Sequence, residues 1–154
     1  MAEYRVDSFK GGIDLGIQPW MYGEARVGLQ FATFHASQRI GKVDLPEDNA
    51  TRGAVVAAGR LDRLDNVNFP NRGYLAQAGF LSSLKALGST DEYYKVEGSV
   101  VGAFTFRKQT VLALLSAGSH IGNELPFYDQ FRLGGFLNLS GLRSNQILGQ
   151  HLAI

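Results

Sequence analysis

The sequence predicts an all-β protein, an antiparallel meander of about seven strands that forms part of a larger transmembrane β-barrel. Three observations carry that expectation. Apolar and polar residues alternate with a period of two, which sends successive side chains to opposite faces of a sheet. Each alternating run persists for about ten residues, close to the 9–11 of a tilted membrane strand and beyond the 5–6 usual in globular domains. Aromatic residues (Tyr4, Trp20, Tyr22, Phe69, Tyr74, Tyr93, Tyr94, Phe104 and Phe106) gather near the ends of the runs, where an interfacial girdle belongs.

The first run sets Phe9, Gly11, Ile13, Leu15 and Ile17 against Lys10, Gly12, Asp14, Gly16 and Gln18. After a turn at Trp20-Met21-Tyr22-Gly23, Ala25, Val27, Leu29, Phe31 and Thr33 oppose Glu24, Arg26, Gly28, Gln30 and Ala32, which makes a hairpin. Residues 35–52 break the pattern and predict a long polar loop, marked by Gly41, Pro46, Asp48 and Asn49. The third strand runs from Gly53 to Leu64 and the fourth from Tyr74 to Leu84, joined through Asn66–Gly73. A turn at Gly88-Ser89-Thr90-Asp91 leads to the fifth, Glu92 to Phe104, and Arg107-Lys108-Gln109 to the sixth, Thr110 to Ile121. The sixth is apolar on both faces, so its outward side is undetermined at this level. A glycine-rich loop over 122–146 precedes the start of a seventh strand, Ile147 to Ile154. The presumed inner face carries Asp14, Glu24, Arg26, Arg60, Asp62, Gln77, Lys95 and Glu97, which would line a wet lumen. In a soluble antiparallel sandwich, the rival architecture, the same groups would simply face solvent.

Composition removes several function classes. With 15 basic and 14 acidic residues there is no charge excess to bind nucleic acid. The chain has no cysteine, so neither disulfides nor thiolate metal sites can form. His35, His120 and His151 are too scattered for metal-ligand spacing. There is no Walker-type glycine loop, and no cofactor is expected. No stretch approaches the ~18 apolar residues of a spanning helix, which leaves strands as the means of crossing a bilayer. Gly-x-Ser-x-Gly is absent, since Ser116 has Gly118 after it but Leu114 before it, so the segment is not expected to be an enzyme.

Two segments are unlike ordinary loops. One is Leu64-Asp65 through Phe69-Pro70-Asn71-Arg72-Gly73; the other is Leu133-Gly134-Gly135 through Leu139-Ser140-Gly141-Leu142. The second is too apolar for a solvated loop and calls for something to pack against. On these motifs the chain resembles the Omp85 superfamily of outer-membrane barrels, the surface-antigen domain of the BamA, TamA and two-partner-secretion type. The resemblance implies that residues 64–73 form a periplasmic turn and that the loop carrying Leu133–Leu142 folds back into the lumen. Ser140 stands where the family has an arginine and Leu142 where it has an aromatic, which looks most like the barrels attached to patatin-like phospholipases. Arg132 and Arg143 are the candidate substitute cations, against the plainer alternative of solvated loop charges.

The resemblance spans 1–154 as part of a barrel of about sixteen strands, roughly the sixth to eleventh plus the start of the twelfth, truncated at both ends. It implies a bacterial outer-membrane location. Its implied partners are outer-membrane lipid and a passenger or upstream domain of the same chain, with a homo-oligomer left open. The function expected is a membrane anchor or translocator of a patatin-like lipid hydrolase, any lipase activity lying in an upstream domain. A protein-insertion or secretion pore of the BamA, TamA or two-partner type is the first alternative. A soluble β-sandwich binding module is the second.

Overall fold

The computed structural model describes residues 3–40, 49–135 and 146–154, with side chains described for 7–35, 49–135 and 146–154. Strands β1 (Glu3–Trp20), β2 (Gly23–Ile40), β3 (Asn49–Asp62), β4 (Arg72–Ser83), β5 (Tyr93–Phe106) and β6 (Gln109–Ile121) form an antiparallel meander. A single 3₁₀ turn, Lys85–Leu87, lies between β4 and β5. Two short strands, β7 (Phe131–Leu133) and β8 (Ile147–Gly149), pair with each other, and β9 (Leu152–Ala153) pairs with β6. The main sheet thus has seven strands in the order β1-β2-β3-β4-β5-β6-β9. There is no α-helix among the described residues.

Register fixes the two faces. Ile13 is opposite Leu29, Leu29 opposite Val55, Val55 opposite Ser82, Ser82 opposite Tyr94, and Tyr94 opposite Ile121. Side chains directly across a ladder share a face, so this row and its period-two neighbours define the outer face. On β1, Phe9, Ile13, Leu15 and Ile17 are between 67% and 82% exposed there. A soluble sandwich would bury such a face under a second sheet, yet among the described residues no second sheet lies on it, and only the turn at Lys85–Leu87 touches it, at Gly53. Leaving a large apolar side chain in water forgoes about 1.5–3 kcal/mol each, so this face is built for hydrocarbon. Tyr94 and Phe104 lie ten positions apart on β5, about 33 Å along a strand at ~3.3 Å per residue. At the usual barrel tilt of about 40° that is roughly 25 Å along the membrane normal, the height of an apolar band between aromatic girdles.

Several expectations are corrected. β2 and β3 extend well into the stretch read as loop, leaving only 41–48 between them, because Phe34 opposite Ala50 continues the pairing beneath a buried tyrosine. β1 and β2 are 18 residues each, longer than a membrane crossing demands, so their polar upper ends continue the sheet beyond the apolar band. The seventh strand is two pieces. A bend at Gln150 separates them, and its side-chain amide bonds Leu125 in both directions (2.7 and 2.9 Å), so 147–149 follows β7 and only 152–153 returns to β6. Tyr93 does not belong to a girdle: it is 1% exposed on the inner face. The side chain of Tyr4 lies outside those described. For β6, Val111, Ala113, Leu115 and Ala117 share the outer face with Phe104, Gly102, Val100 and Gly98, while Leu112, Leu114, Ser116 and Gly118 point inward.

Candidate functional site

The inner face is divided along its length. Toward the short-turn end its charged groups pair on the wall itself. Arg26 donates to Glu24 and, at 3.3 Å, to Asp14, and Arg60 donates to Asp62 at 2.8 Å; nearer the opposite end of β5, Lys95 stands 3.7 Å from Glu97. Small partners make room for them, since Gly16 and Ala58 flank Arg26 in register and Gly79 faces Glu97. A cavity of about 370 Å³ follows, lined by Arg26, Arg60, Gln77, Glu97, Ser99 and Ser116. Pairs this exposed are screened by water and add little stability. Their effect is to keep the wall wet and close to neutral.

Toward the other end, residues 125–131 lie across the inner face. Tyr128 stacks on Phe34 with ring centroids 4.2 Å apart, and packs with Ala32 and Ala50. Leu125 and Phe131 pack with Tyr93, flanked by Leu81 and Leu152. Gly118 is required here, because a Cβ would sit 2.3 Å from the Phe131 ring. Lys95 Nζ lies 4.4 Å from the centroid of that ring.

Between these apolar contacts sits a polar knot. The Asp129 carboxylate accepts from Arg52 Nη1 and from the Tyr93 hydroxyl, and Arg52 Nη2 donates to Gln30. Lys95 Nζ donates to the Asp129 carbonyl oxygen at 3.1 Å. Arg52 and Asp129 are only 3% and 8% exposed, so each charge depends on the other for solvation. Nearby, the Tyr128 hydroxyl donates to Asp91 at 3.2 Å; burial first, and that carboxylate second, push its phenol well above the ordinary tyrosine range.

The β3–β4 connection is equally specified. Asp65 Oδ1 accepts the backbone N–H groups of Asn71 (2.9 Å) and Arg72 (3.1 Å), and Asn66 Oδ1 those of Asn68 (2.9 Å) and Phe69 (3.1 Å). These are side-chain turns of the kind Asp and Asn favour. The Arg72 N–H, then that of Asn71, holds the Asp65 carboxyl below its usual range. Gly73 has φ +106°, and a Cβ there would fall 2.0 Å from the Arg63 carbonyl oxygen. Asn71 ties this turn to the next hairpin by accepting from Thr105 (2.8 Å) and Thr110 (3.2 Å).

Residues 2–151 match the Omp85 superfamily domain. The chain belongs to the Omp85 superfamily. Among curated proteins, none matches it. Omp85 membership associates the chain with the outer membrane and with protein insertion and secretion there, and the exposed apolar face is the surface such a location requires.

The site residues expected from sequence are distributed as follows. Leu64, Asp65, Phe69, Pro70, Arg72 and Gly73 all fall in or beside the β3–β4 turn, at the same end as the two short hairpin turns. Phe69 is 82% exposed and projects from it. Leu133 ends β7, and Gly134 and Gly135 follow with φ of +128° and +110°. Leu139, Ser140, Gly141, Leu142 and Arg143 lie outside the described residues. Arg132 is exposed; the described cations that meet the inner segment are Arg52 and Lys95, on the wall rather than on the loop. Sequence reasoning missed Arg52, Asp129, Tyr93, Tyr128 and Gln30 as a group. A signal existed for Arg52, which continues the inward period of Arg60, Ala58, Val56 and Ala54 once β3 is extended.

Proposed function

We propose that this section of the Omp85 barrel anchors and translocates a domain of its own chain, with the 125–131 segment acting as a docked plug inside the wall. The observation that carries this is the buried Arg52–Asp129–Tyr93 knot, which spans β3, β5 and the segment and so fixes the segment against two parts of the wall. Closed strand pairing would satisfy every backbone group in lipid, and the plug would keep the wet interior from leaking. The loop motif with Ser140 favours a patatin-like hydrolase as the attached domain; the catalysis would then reside in that domain and none in this chain. Outer-membrane lipid and the attached domain are the partners of this reading.

Protease shaving of intact cells producing the full-length protein tests it. An attached domain that becomes surface-accessible only with an intact barrel supports the anchor. If the attached domain stays inaccessible while depletion of the protein halts assembly of unrelated outer-membrane barrels, the insertase reading replaces it. That second reading is favoured by superfamily membership.

A further inference from the structure

The outer face of β1–β3 holds a groove that the interior site does not use. Its floor is the backbone at Gly11 and Gly53, the register partners of Phe31, whose half-exposed ring stands between them. A Cβ on Gly11 would meet nothing within 4 Å, so the floor is open there. At Gly53 a Cβ would fall 2.0 Å from the Leu87 carbonyl oxygen, so the 3₁₀ turn lies directly against the sheet and bounds the groove. Phe9, 77% exposed, borders it in the adjoining row. The groove encloses about 500 Å³.

A second groove of about 520 Å³ adjoins it, sharing Phe9, Thr33 and Thr51 and reaching His35 and Asn49. Asn49 and His35 are register partners hydrogen-bonded to each other. An apolar trough that passes within one row into a polar one has the outline of an amphiphile.

We infer that these two grooves seat a single lipid, its upper acyl chain lying along Gly11–Phe31–Gly53 and its ester and headgroup region against Thr33, His35 and Asn49. The inference rests on reading the outer face as lipid-facing. Its occupant follows from continuity, because the trough floor is the same face that presents Ile13, Leu15 and Leu29 to hydrocarbon. On a plain stretch of wall a chain touches protein on one side only. In the trough it touches the floor, the Leu87 turn and Phe9 together, and each added carbon–carbon contact contributes dispersion attraction.

The test uses the full-length protein in phosphatidylcholine bilayers containing a small fraction of a phospholipid with a diazirine in its upper acyl chain. After photolysis, labelled residues are mapped by mass spectrometry. Labelling at Phe31 and Leu87 is expected to exceed that at Leu15 and Val27 by about threefold, the scale a handful of extra contacts provides. Gly11→Leu fills the open floor and should remove the excess while Leu15 and Val27 label as before. Phe9→Ala, which opens the border, should reduce it even if Gly11→Leu does not fold. Equal labelling along the outer face, or an excess untouched by either substitution, overturns the lipid seat alone. No labelling anywhere on that face overturns the lipid-facing reading with it.

Discussion

Replacing Asp129 with alanine removes two interactions at once while leaving their donors in place. Arg52, 3% exposed, keeps its charge but loses its counter-ion; Tyr93, 1% exposed, loses the acceptor for its hydroxyl. Breaking a buried pair from one side costs about 3–5 kcal/mol because the surviving charge is stranded. The side chain of residue 129 belongs to the segment and that of Arg52 to the wall, so the cost falls on docking rather than on the sheet. At 1.36 kcal/mol per decade the undocked population of residues 125–131 should rise by about two to four orders of magnitude. Two assays read this in the full-length protein. Hydrogen exchange should show amide protection lost over 125–131 with β3 to β6 unchanged, and single-channel recording should show larger or more frequent openings. The double variant Arg52→Met with Asp129→Leu removes both charges and should recover most of the protection. Undiminished protection in Asp129→Ala, or a double variant as exposed as the single, would refute the assignment of the knot as the register-setting contact.

Four further outcomes follow from the same geometry. Gly118→Leu places carbon where the Phe131 ring stands, so it should undock the segment as Asp129→Ala does, read by the same exchange experiment. Gly73→Ala meets both a positive φ and the Arg63 carbonyl; it should cost at least about 1–3 kcal/mol and lower the midpoint of heat-induced mobility change on gels, whereas Gly59→Ala, with open space around it, should not. Asp65 has a depressed carboxyl pKa, so its contribution to the turn is present above the unfolded value of about 3.9 and is lost as pH falls through the folded value. Proteolytic cutting at 65–72 should therefore rise only below about pH 4, and Asp65→Asn should flatten that dependence. Trp20, the single tryptophan and 72% exposed, should be quenched by brominated phospholipid; quenching by aqueous iodide alone would contradict its place at the membrane interface.

What could be read from the sequence was the part dictated by solvent. Hydrocarbon imposes one rule on every strand, so Phe9, Ile13 and Leu15 on β1 and Val96 and Val100 on β5 announce the same face without knowledge of any contact. The turn at 64–73 was equally legible, because Asp65, Asn66 and Gly73 each meet a local backbone need. The inner face obeys no such common rule. Its residues answer to whatever lies against them: Tyr93 looked like a girdle aromatic because nothing local distinguishes it from Tyr94, and only the arrival of Asp129 and Leu125 from about thirty residues away makes it interior. The polar run at 35–52 read as loop for the same reason, since beyond the apolar band a strand has no hydrocarbon to impose alternation, while Phe34 and Arg52 are held by the distant Tyr128 and Asp129. The sixth strand was ambiguous because Leu112 and Leu114 face inward as apolar residues too.

That division also indicates what holds the segment and what merely aligns it. Burial of Leu125, Tyr128 and Phe131 contributes about 1.5–3 kcal/mol each before ordering costs, and, the Phe131 ring over Gly118 apart, these contacts tolerate small shifts along the wall better than a directional charge pair does. The Arg52–Asp129 pair contributes little net energy, since two charges must first lose water. It tolerates almost no displacement, however, because Asp129 must reach Arg52 on β3 and Tyr93 on β5 at once. The apolar residues therefore supply affinity, and the knot selects one register from many that the grease would accept. A plug built this way could be displaced without unfolding the barrel, provided whatever displaces it satisfies Arg52. The wet charges nearer the short turns, already paired along their own wall, would need no rearrangement at all.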